Sequence, residues 1–198
     1  MKVAFIGTHG VGKTTLCYDV AGLLKKRDVN VDIVKEVARL SPLPVNKKTS
    51  LDAQTWILTT QVAEEIRAAA HSPVVICDRS VLDNYAYMAK ACGRQKPVER
   101  FVDFWMKTYD LLFKVPYLGT EASADGFRDT DEFFMRAIDE LVDRLLAEKK
   151  IPHERLPAGE RERWAAQAVE AILRAPAYAR LFEPLRRPRQ RTGAEDGT

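Results

Sequence analysis

Apolar and polar residues follow two different patterns along this chain. Short unbroken apolar runs are typical of buried strands, whereas apolar residues that recur every three or four positions are typical of amphipathic helices. Strands are predicted at residues 2–6, 29–34, 73–77, 111–115 and 151–156. Strands that alternate with helices form a parallel sheet with right-handed crossovers and helices on both faces. The pattern therefore predicts an α/β fold, a three-layer α/β/α sandwich around a five-stranded parallel sheet.

The helices between these strands are predicted from spacing and capping signals. Ser80, followed three residues later by Asp83, predicts a capping box at the start of a helix that ends near Gly93. A longer helix is predicted over residues 51–70. The apolar residues that recur at helical spacing in it, and that we expect to be buried, are Trp56, Ala63, Ile66 and Ala70.

No internal repeat and no composition shift divides the chain before residue 184. Residues 1–183 are therefore predicted to form a single domain. Within it, residues 119–128 are small and polar, which predicts a mobile segment. From residue 184 onward the apolar pattern is lost and arginines give way to glycine and acidic residues, which predicts a disordered basic tail over residues 184–198.

Composition narrows the class of protein. The chain is 46% hydrophobic and 30% charged, as soluble globular proteins are. It has no run of 18 apolar residues, so no membrane span is expected, and a core strand at the start predicts no signal peptide. We therefore predict a cytoplasmic location. A net charge of +3 is too small to indicate a nucleic-acid partner, and a homodimer is left open.

One segment between the first predicted strand and the first predicted helix carries a specific motif. Its pattern, G-x-x-x-x-G-K-T in strand–loop–helix context, is a Walker A motif or P-loop. Glycines allow successive backbone N–H groups to surround a phosphate, Lys13 would reach the β- and γ-phosphates, and Thr14 would hold Mg²⁺. We interpret His9 as a spacer whose backbone binds. The predicted nucleotide-binding residues are Gly7, Thr8, His9, Gly10, Val11, Gly12, Lys13, Thr14 and Thr15.

Charged residues also follow the ends of other predicted strands. Asp78 ends the third strand, where a carboxylate either holds Mg²⁺ or caps the next helix, and Arg79 follows it. Glu36 follows the second strand and is placed to accept a hydroxyl proton. Arg39 either holds an acceptor anion or pairs with Glu36 on a local helical turn. Because the carboxyl ends of parallel strands meet at one edge, we expect these residues to converge on one cleft.

These motifs, with Gln61 and Arg128, resemble the nucleoside- and nucleotide-kinase branch of P-loop NTPases over about residues 1–173. The most similar group is the AAA-type domain of NadR-like proteins, whose best-known activity is nicotinamide riboside kinase. Thymidylate kinases and deoxynucleoside kinases share the layout. Thymidylate kinases have proline after the second-strand acid, whereas Val37 follows Glu36 here, which argues against that activity.

The resemblance implies roles for individual residues. Glu36 would act as base or substrate ligand, Asp78 and Arg79 would form the Asp-Arg pair after the third strand, and Gln61 would read the base. It also implies a helical lid over about residues 117–136. The lid arginines that would reach the transition-state charge are Arg128 and Arg136.

Two functions remain for the predicted site. The first is an ATP- and Mg²⁺-dependent kinase that transfers the γ-phosphate to a nucleoside, a nucleotide or a nucleoside-like small molecule. The alternative is a regulatory ATP- or GTP-binding NTPase without such an acceptor. For the kinase, the predicted substrate-binding residues are Glu36, Arg39, Gln61, Arg79 and Tyr85. Tyr85 and Tyr87 could stack on a base or pack in the core, and pattern alone leaves both open.

Overall fold

A parallel sheet forms the centre of the computed structural model, which describes residues 1–45, 49–119 and 132–182. Its strands are β1 (Lys2–Ile6), β2 (Val31–Val34), β3 (Val74–Asp78), β4 (Leu111–Lys114) and β5 (Glu154–Arg155). They lie in the order β2-β3-β1-β4-β5, and every neighbouring pair is parallel. The predicted five-stranded parallel sheet is confirmed. β5 is shorter than predicted because only two of its residues pair with β4.

Helices cover both faces of this sheet. They are α1 (Lys13–Lys25), α2 (Leu51–His71), α3 (Val81–Cys92), α4 (Lys96–Met106), α5 (Glu132–Glu148), α6 (Trp164–Arg174) and α7 (Pro176–Arg180). Short 3-10 turns lie at Val37–Leu40 and Arg161–Arg163. Successive residues of a strand point to opposite faces. Val3 and Phe5 of β1 therefore pack with α1 and α6, whereas Ala4 and Ile6 pack with α2, α3, α4 and α5. The predicted three-layer sandwich is confirmed.

The buried face of α2 was predicted wrongly. Ile66 is 57% exposed, and Ala63 and Ala70 are exposed as well. The residues that α2 buries are Ala53, Gln54, Ile57, Leu58, Gln61, Glu65 and Ala68. Three of these are polar, so the apolar pattern could not locate the face. Their burial is possible because each makes at least one hydrogen bond to another polar group.

The capping box at the start of α3 is confirmed and has a second use. Ser80 Oγ accepts hydrogen bonds from the Leu82 and Asp83 amides, and Asp83 Oδ2 accepts one from the Ser80 amide at 2.8 Å. The other oxygen, Asp83 Oδ1, accepts a hydrogen bond from the Gly7 amide at 2.7 Å. This one carboxylate therefore joins the turn after β3 to the loop after β1.

Two predicted segments lie wholly or mostly outside the described residues. Residues 120–131 of the predicted lid, with Arg128, are not described, and neither is the predicted tail at residues 184–198. The single domain over residues 1–183 stays a prediction. In the described parts of the chain, no helix has the length and apolar character needed to cross a membrane.

Candidate active site

The loop between β1 and α1 has backbone angles that only glycine adopts easily. Gly7, Gly10 and Gly12 have φ values of 138°, 76° and 91°. A Cβ on Gly7 would also lie only 2.9 Å from the Val115 carbonyl oxygen. The fixed glycines of the motif are therefore required by conformation at Gly7 and Gly12, and at Gly7 also by the nearby backbone.

Two cavities lie at the carboxyl ends of the strands. The first, which we name the P-loop cavity, is lined by Gly10, Gly12, Lys13, Thr14, Thr15, Glu36, Arg39, Asp78, Arg79 and Arg161. The second, the α2–α3 cavity, is lined by His9, Glu36, Ala38, Val45, Thr49, Gln54, Ile57, Arg79, Asn84, Tyr87, Ala91 and Phe134. Glu36 and Arg79 line both. The expected convergence of the strand ends on one cleft is therefore present in the structure.

Lys13 lies folded back on its own loop. Its Nζ donates hydrogen bonds to the carbonyl oxygens of Gly7 at 3.0 Å and Thr8 at 2.5 Å. Burial, with the neighbouring Arg79 cation, lowers the pKa of Lys13 to about 8. No acidic side chain is hydrogen-bonded to this ammonium in the described residues, so an anion that enters the P-loop cavity would satisfy its charge.

Thr14 and Asp78 bring two oxygen ligands together. Thr14 Oγ1 donates a hydrogen bond to Asp78 Oδ2 at 2.5 Å. Mg²⁺ prefers oxygen ligands and keeps several waters when bound through one or two protein groups. Within the described ranges no group of three or more histidine, cysteine or acidic side chains could hold a metal by itself. The pair therefore fits a Mg²⁺ ion that takes its other ligands from water and phosphate.

Glu36 and Arg79 form a buried ion pair where the two cavities meet. Glu36 Oε1 accepts hydrogen bonds from Arg79 Nε at 2.9 Å and Nη2 at 2.7 Å, and Oε2 accepts one from Arg39 Nε at 3.1 Å. Arg79 is only 5% exposed, yet its Nη1 has no hydrogen-bond partner among the described residues. A buried N–H without an acceptor is costly, so this donor is suited to an anionic or carbonyl oxygen of a ligand.

The backbone of Arg79 is strained. Its φ of 93° is unusual for a residue with a side chain. Its amide donates to the Phe5 carbonyl oxygen at 3.2 Å, and its own carbonyl accepts from Gln61 Nε2 at 3.4 Å. Strain of this kind persists where the surroundings hold it and often marks functional sites.

The α2–α3 cavity combines planar rings with amides. Tyr87 and Phe134 approach each other and His9 with ring centroids 6.1 Å apart. Gln54 donates from Nε2 to Thr49 Oγ1 at 2.8 Å, while its Oε1 is buried without a partner among the described residues. Asn84 Nδ2 is also buried and has no hydrogen-bond partner among the described residues. The wall therefore holds an open acceptor and an open donor beside aromatic surface.

Three of the predicted catalytic or substrate-binding residues, Gln61, Tyr85 and Arg136, do not line either cavity. Gln61 is fully buried and donates to Glu65 Oε1 at 2.9 Å. Tyr85 packs in the core, with its hydroxyl donating to Glu99 at 3.0 Å. Arg136 is exposed and pairs with Glu132 at 3.3 Å, and Arg128 lies outside the described residues.

Among the residues that line the cavities, the sequence-based prediction missed Gln54, Asn84, Phe134 and Arg161. Gln54 lies seven residues before Gln61 on the same face of α2. Helical spacing therefore gives no reason to prefer one glutamine over the other as a site residue. Tyr87 lines the α2–α3 cavity two residues after Tyr85, on another side of α3. No pattern in the sequence distinguishes the members of these pairs.

A family model described as AAA domain matches residues 2–163. The chain belongs to this AAA domain family. The structure of a deoxyadenosine kinase from M. mycoides, with the products dCMP and a flexible dCDP bound, matches this AAA domain with a TM-score of 0.60 at 19% identity. The match covers 87% of this chain and 97% of that one. At this identity the likeness shows the fold, and the predicted nucleoside-kinase-like P-loop fold is confirmed. No curated protein matches the chain.

Proposed function

We propose that this AAA domain is a kinase that transfers the γ-phosphate of ATP to a nucleoside, a nucleotide or a nucleoside-like small molecule. The observation that carries the proposal is that two cavities of different chemistry meet at Glu36 and Arg79. A triphosphate suits the glycine-rich, cationic cavity, and a planar polar molecule suits the aromatic and amide-lined one. Transfer requires the two reactants to be held in contact, and cavities that share a wall provide this.

On the donor side, the P-loop amides and Lys13 would hold the β- and γ-phosphates. Thr14 and Asp78 would hold Mg²⁺, which supplies positive charge that neutralises the phosphate oxygens. Lys13 would move from the Gly7 and Thr8 carbonyl oxygens to the phosphates. In phosphoryl transfer such positioning and charge stabilisation carry most of the catalysis.

On the acceptor side, Tyr87 and Phe134 would flank a flat ring, and Gln54 and Asn84 would hydrogen-bond to its polar edge. Deoxynucleoside kinases use a glutamine to read the base, and we assign that role to Gln54 in place of Gln61. Glu36 would accept the hydroxyl proton of the acceptor. Arg79 Nη1 would donate to an oxygen of the transferring phosphoryl group.

Other parts of the proposal rest on sequence alone. Arg128 and Arg136 remain candidates for lid arginines that reach the transferring group. Closure of such a lid excludes water, so that the phosphate goes to the acceptor instead of being hydrolysed. A cytoplasmic location and a homodimer also remain predictions.

The test is release of ADP from ATP and Mg²⁺ in the presence of a panel of nucleosides, nucleoside monophosphates and nicotinamide riboside. We expect one class of acceptor to raise turnover in a saturable manner. Slow hydrolysis that no acceptor changes would contradict the kinase and favour a regulatory NTPase.

A variant in the α2–α3 cavity tests acceptor binding separately from nucleotide binding. Gln54→Leu should raise the KM of the acceptor about tenfold, because a hydrogen-bonded edge is lost, and should leave ADP affinity unchanged. The matched control is Gln167→Leu, since Gln167 lies on α6 and donates to Glu160 outside both cavities. An equal loss in both variants, or a loss of ADP binding, would contradict the assigned role.

A further inference from the structure

A guanidinium from late in the chain lies on the P-loop. Arg161 belongs to the short turn before α6, about 150 residues after the motif. A Cβ built on Gly12 would lie 2.5 Å from Arg161 Nη2 and 3.3 Å from its Cζ. The guanidinium therefore covers the α-carbon of Gly12, and it lines the P-loop cavity together with Lys13 and Thr14.

The backbone that carries Arg161 is anchored to the helix that follows the P-loop. Trp164, three residues later, is 2% exposed and packs in the same core cluster as Leu16 and Val20 of α1. Its Nε1 donates to the Pro157 carbonyl oxygen at 2.8 Å, which closes the turn. Arg161 is thus held beside the loop by packing that does not involve its own side chain.

The positive charge of Arg161 is not paired with an acidic side chain within the described residues. The other two arginines of the P-loop cavity, Arg39 and Arg79, donate to Glu36, and Lys13 donates to loop carbonyl oxygens. In the described part of the chain the Arg161 guanidinium has no hydrogen-bond or ion-pair partner. A guanidinium beside a phosphate-binding loop has the donor geometry that phosphate oxygens accept in pairs.

We propose that Arg161 is a donor-nucleotide binding residue whose guanidinium contacts the phosphates held by the P-loop. P-loop amides carry only partial charge, so a full cation beside Gly12 strengthens the hold on an anion. The proposal rests on the nucleotide-binding half of the proposed function and needs no acceptor. A base-stacking role for the same side chain is an outcome that the experiment separates.

The experiment measures the affinity of the whole chain for two probes, ADP and inorganic tripolyphosphate, by calorimetry. Arg161→Ala should weaken both by about tenfold, as loss of a charge-assisted hydrogen bond does. Arg161→Lys should recover part of the loss, because it keeps the charge and loses the paired donors. The matched control is Arg163→Ala, which removes one charge from the same turn, where Arg163 pairs with Glu160 at 3.1 Å.

Three results of this experiment would overturn the proposal. Unchanged affinity for both probes in Arg161→Ala would overturn it, and so would an equal loss in Arg163→Ala, which would mean a net-charge effect only. If Arg161→Ala bound ADP more weakly but tripolyphosphate with unchanged affinity, the side chain would contact the base or ribose. That result would overturn the proposed phosphate contact. Arg161 is exposed, so we expect the variants to unfold at the wild-type temperature.

The result can also be told apart from that of the proposed kinase activity. If no acceptor is phosphorylated but both probes bind in an Arg161-dependent manner, the kinase proposal fails and this one stands. If neither probe binds to the wild-type chain, both fail.

Discussion

The P-loop cavity and the α2–α3 cavity share a wall but are built differently. Half of the lining of the first comes from one continuous segment, residues 10–15, in which glycine backbone angles and the start of α1 shape the surface. The second takes side chains from separate places: His9 from the P-loop, Gln54 from α2, Asn84 and Tyr87 from α3, and Phe134 from α5. A backbone-built site depends on few residues, whereas a side-chain-built site changes with each of them.

This difference bears on specificity. A phosphate group is the same in every nucleoside triphosphate, so backbone amides can bind it without distinguishing one nucleotide from another. An acceptor must be told apart from similar molecules, and discrimination of that kind comes from polar groups that are left unpaired by the wrong ligand. Gln54 and Asn84 have the open hydrogen-bonding atoms needed for this.

The largest expected effect comes from removing the one lysine of the P-loop. Lys13→Ala should lower kcat/KM by about a thousandfold, because the transferring phosphates lose their buried cation. Steady-state kinetics with the best acceptor measure it. Lys25→Ala, at the exposed end of the same helix, is the control and should change little. A thousandfold loss confined to acceptor KM would contradict a donor role.

The next effect tests the residue that the two cavities share. Glu36→Gln keeps the shape but removes the proton acceptor, so kcat should fall by about a hundredfold while ADP affinity stays nearly unchanged. Kinetics and ADP titration of the same preparation separate the two quantities. Loss of ADP binding would instead assign Glu36 to positioning of Arg79. Glu64→Gln on the exposed side of α2 serves as the control.

The third effect is expected on stability instead of turnover and concerns the buried hydrogen bonds of Glu65 on α2. Glu65 is 1% exposed and accepts hydrogen bonds from Lys2, Gln61, Trp105 and Tyr109 at 2.6–2.9 Å. Glu65→Ala leaves the partly buried Lys2 ammonium and three other donors without this acceptor. The free energy of unfolding should fall by about 3–5 kcal/mol, as measured by urea denaturation.

The control for this third prediction is the neighbouring carboxylate. Glu64→Ala breaks an exposed pair with Arg67 and should cost less than about 0.5 kcal/mol. If Glu65→Ala cost no more than Glu64→Ala, the buried hydrogen bonds of Glu65 would not stabilise the fold.

Prediction from sequence succeeded where the signal is local. The P-loop, the capping box of Ser80 and Asp83, and the five strands are each encoded in neighbouring residues. It was wrong at the buried face of α2, because Gln54, Gln61 and Glu65 are polar yet buried. Their burial depends on partners from other parts of the chain, such as Lys2 and Tyr109, which a pattern along one helix does not contain.

The sequence by itself determined the α/β fold, the P-loop and the edge of the sheet at which the charged residues meet. These follow from hydrophobic periodicity and from glycine conformations that few other residues adopt. Only the tertiary structure decided which glutamine and which tyrosine line the α2–α3 cavity, and that Arg161 lies on Gly12. Such choices depend on helix rotation and on contacts between distant segments, and neither is recorded in the order of neighbouring residues.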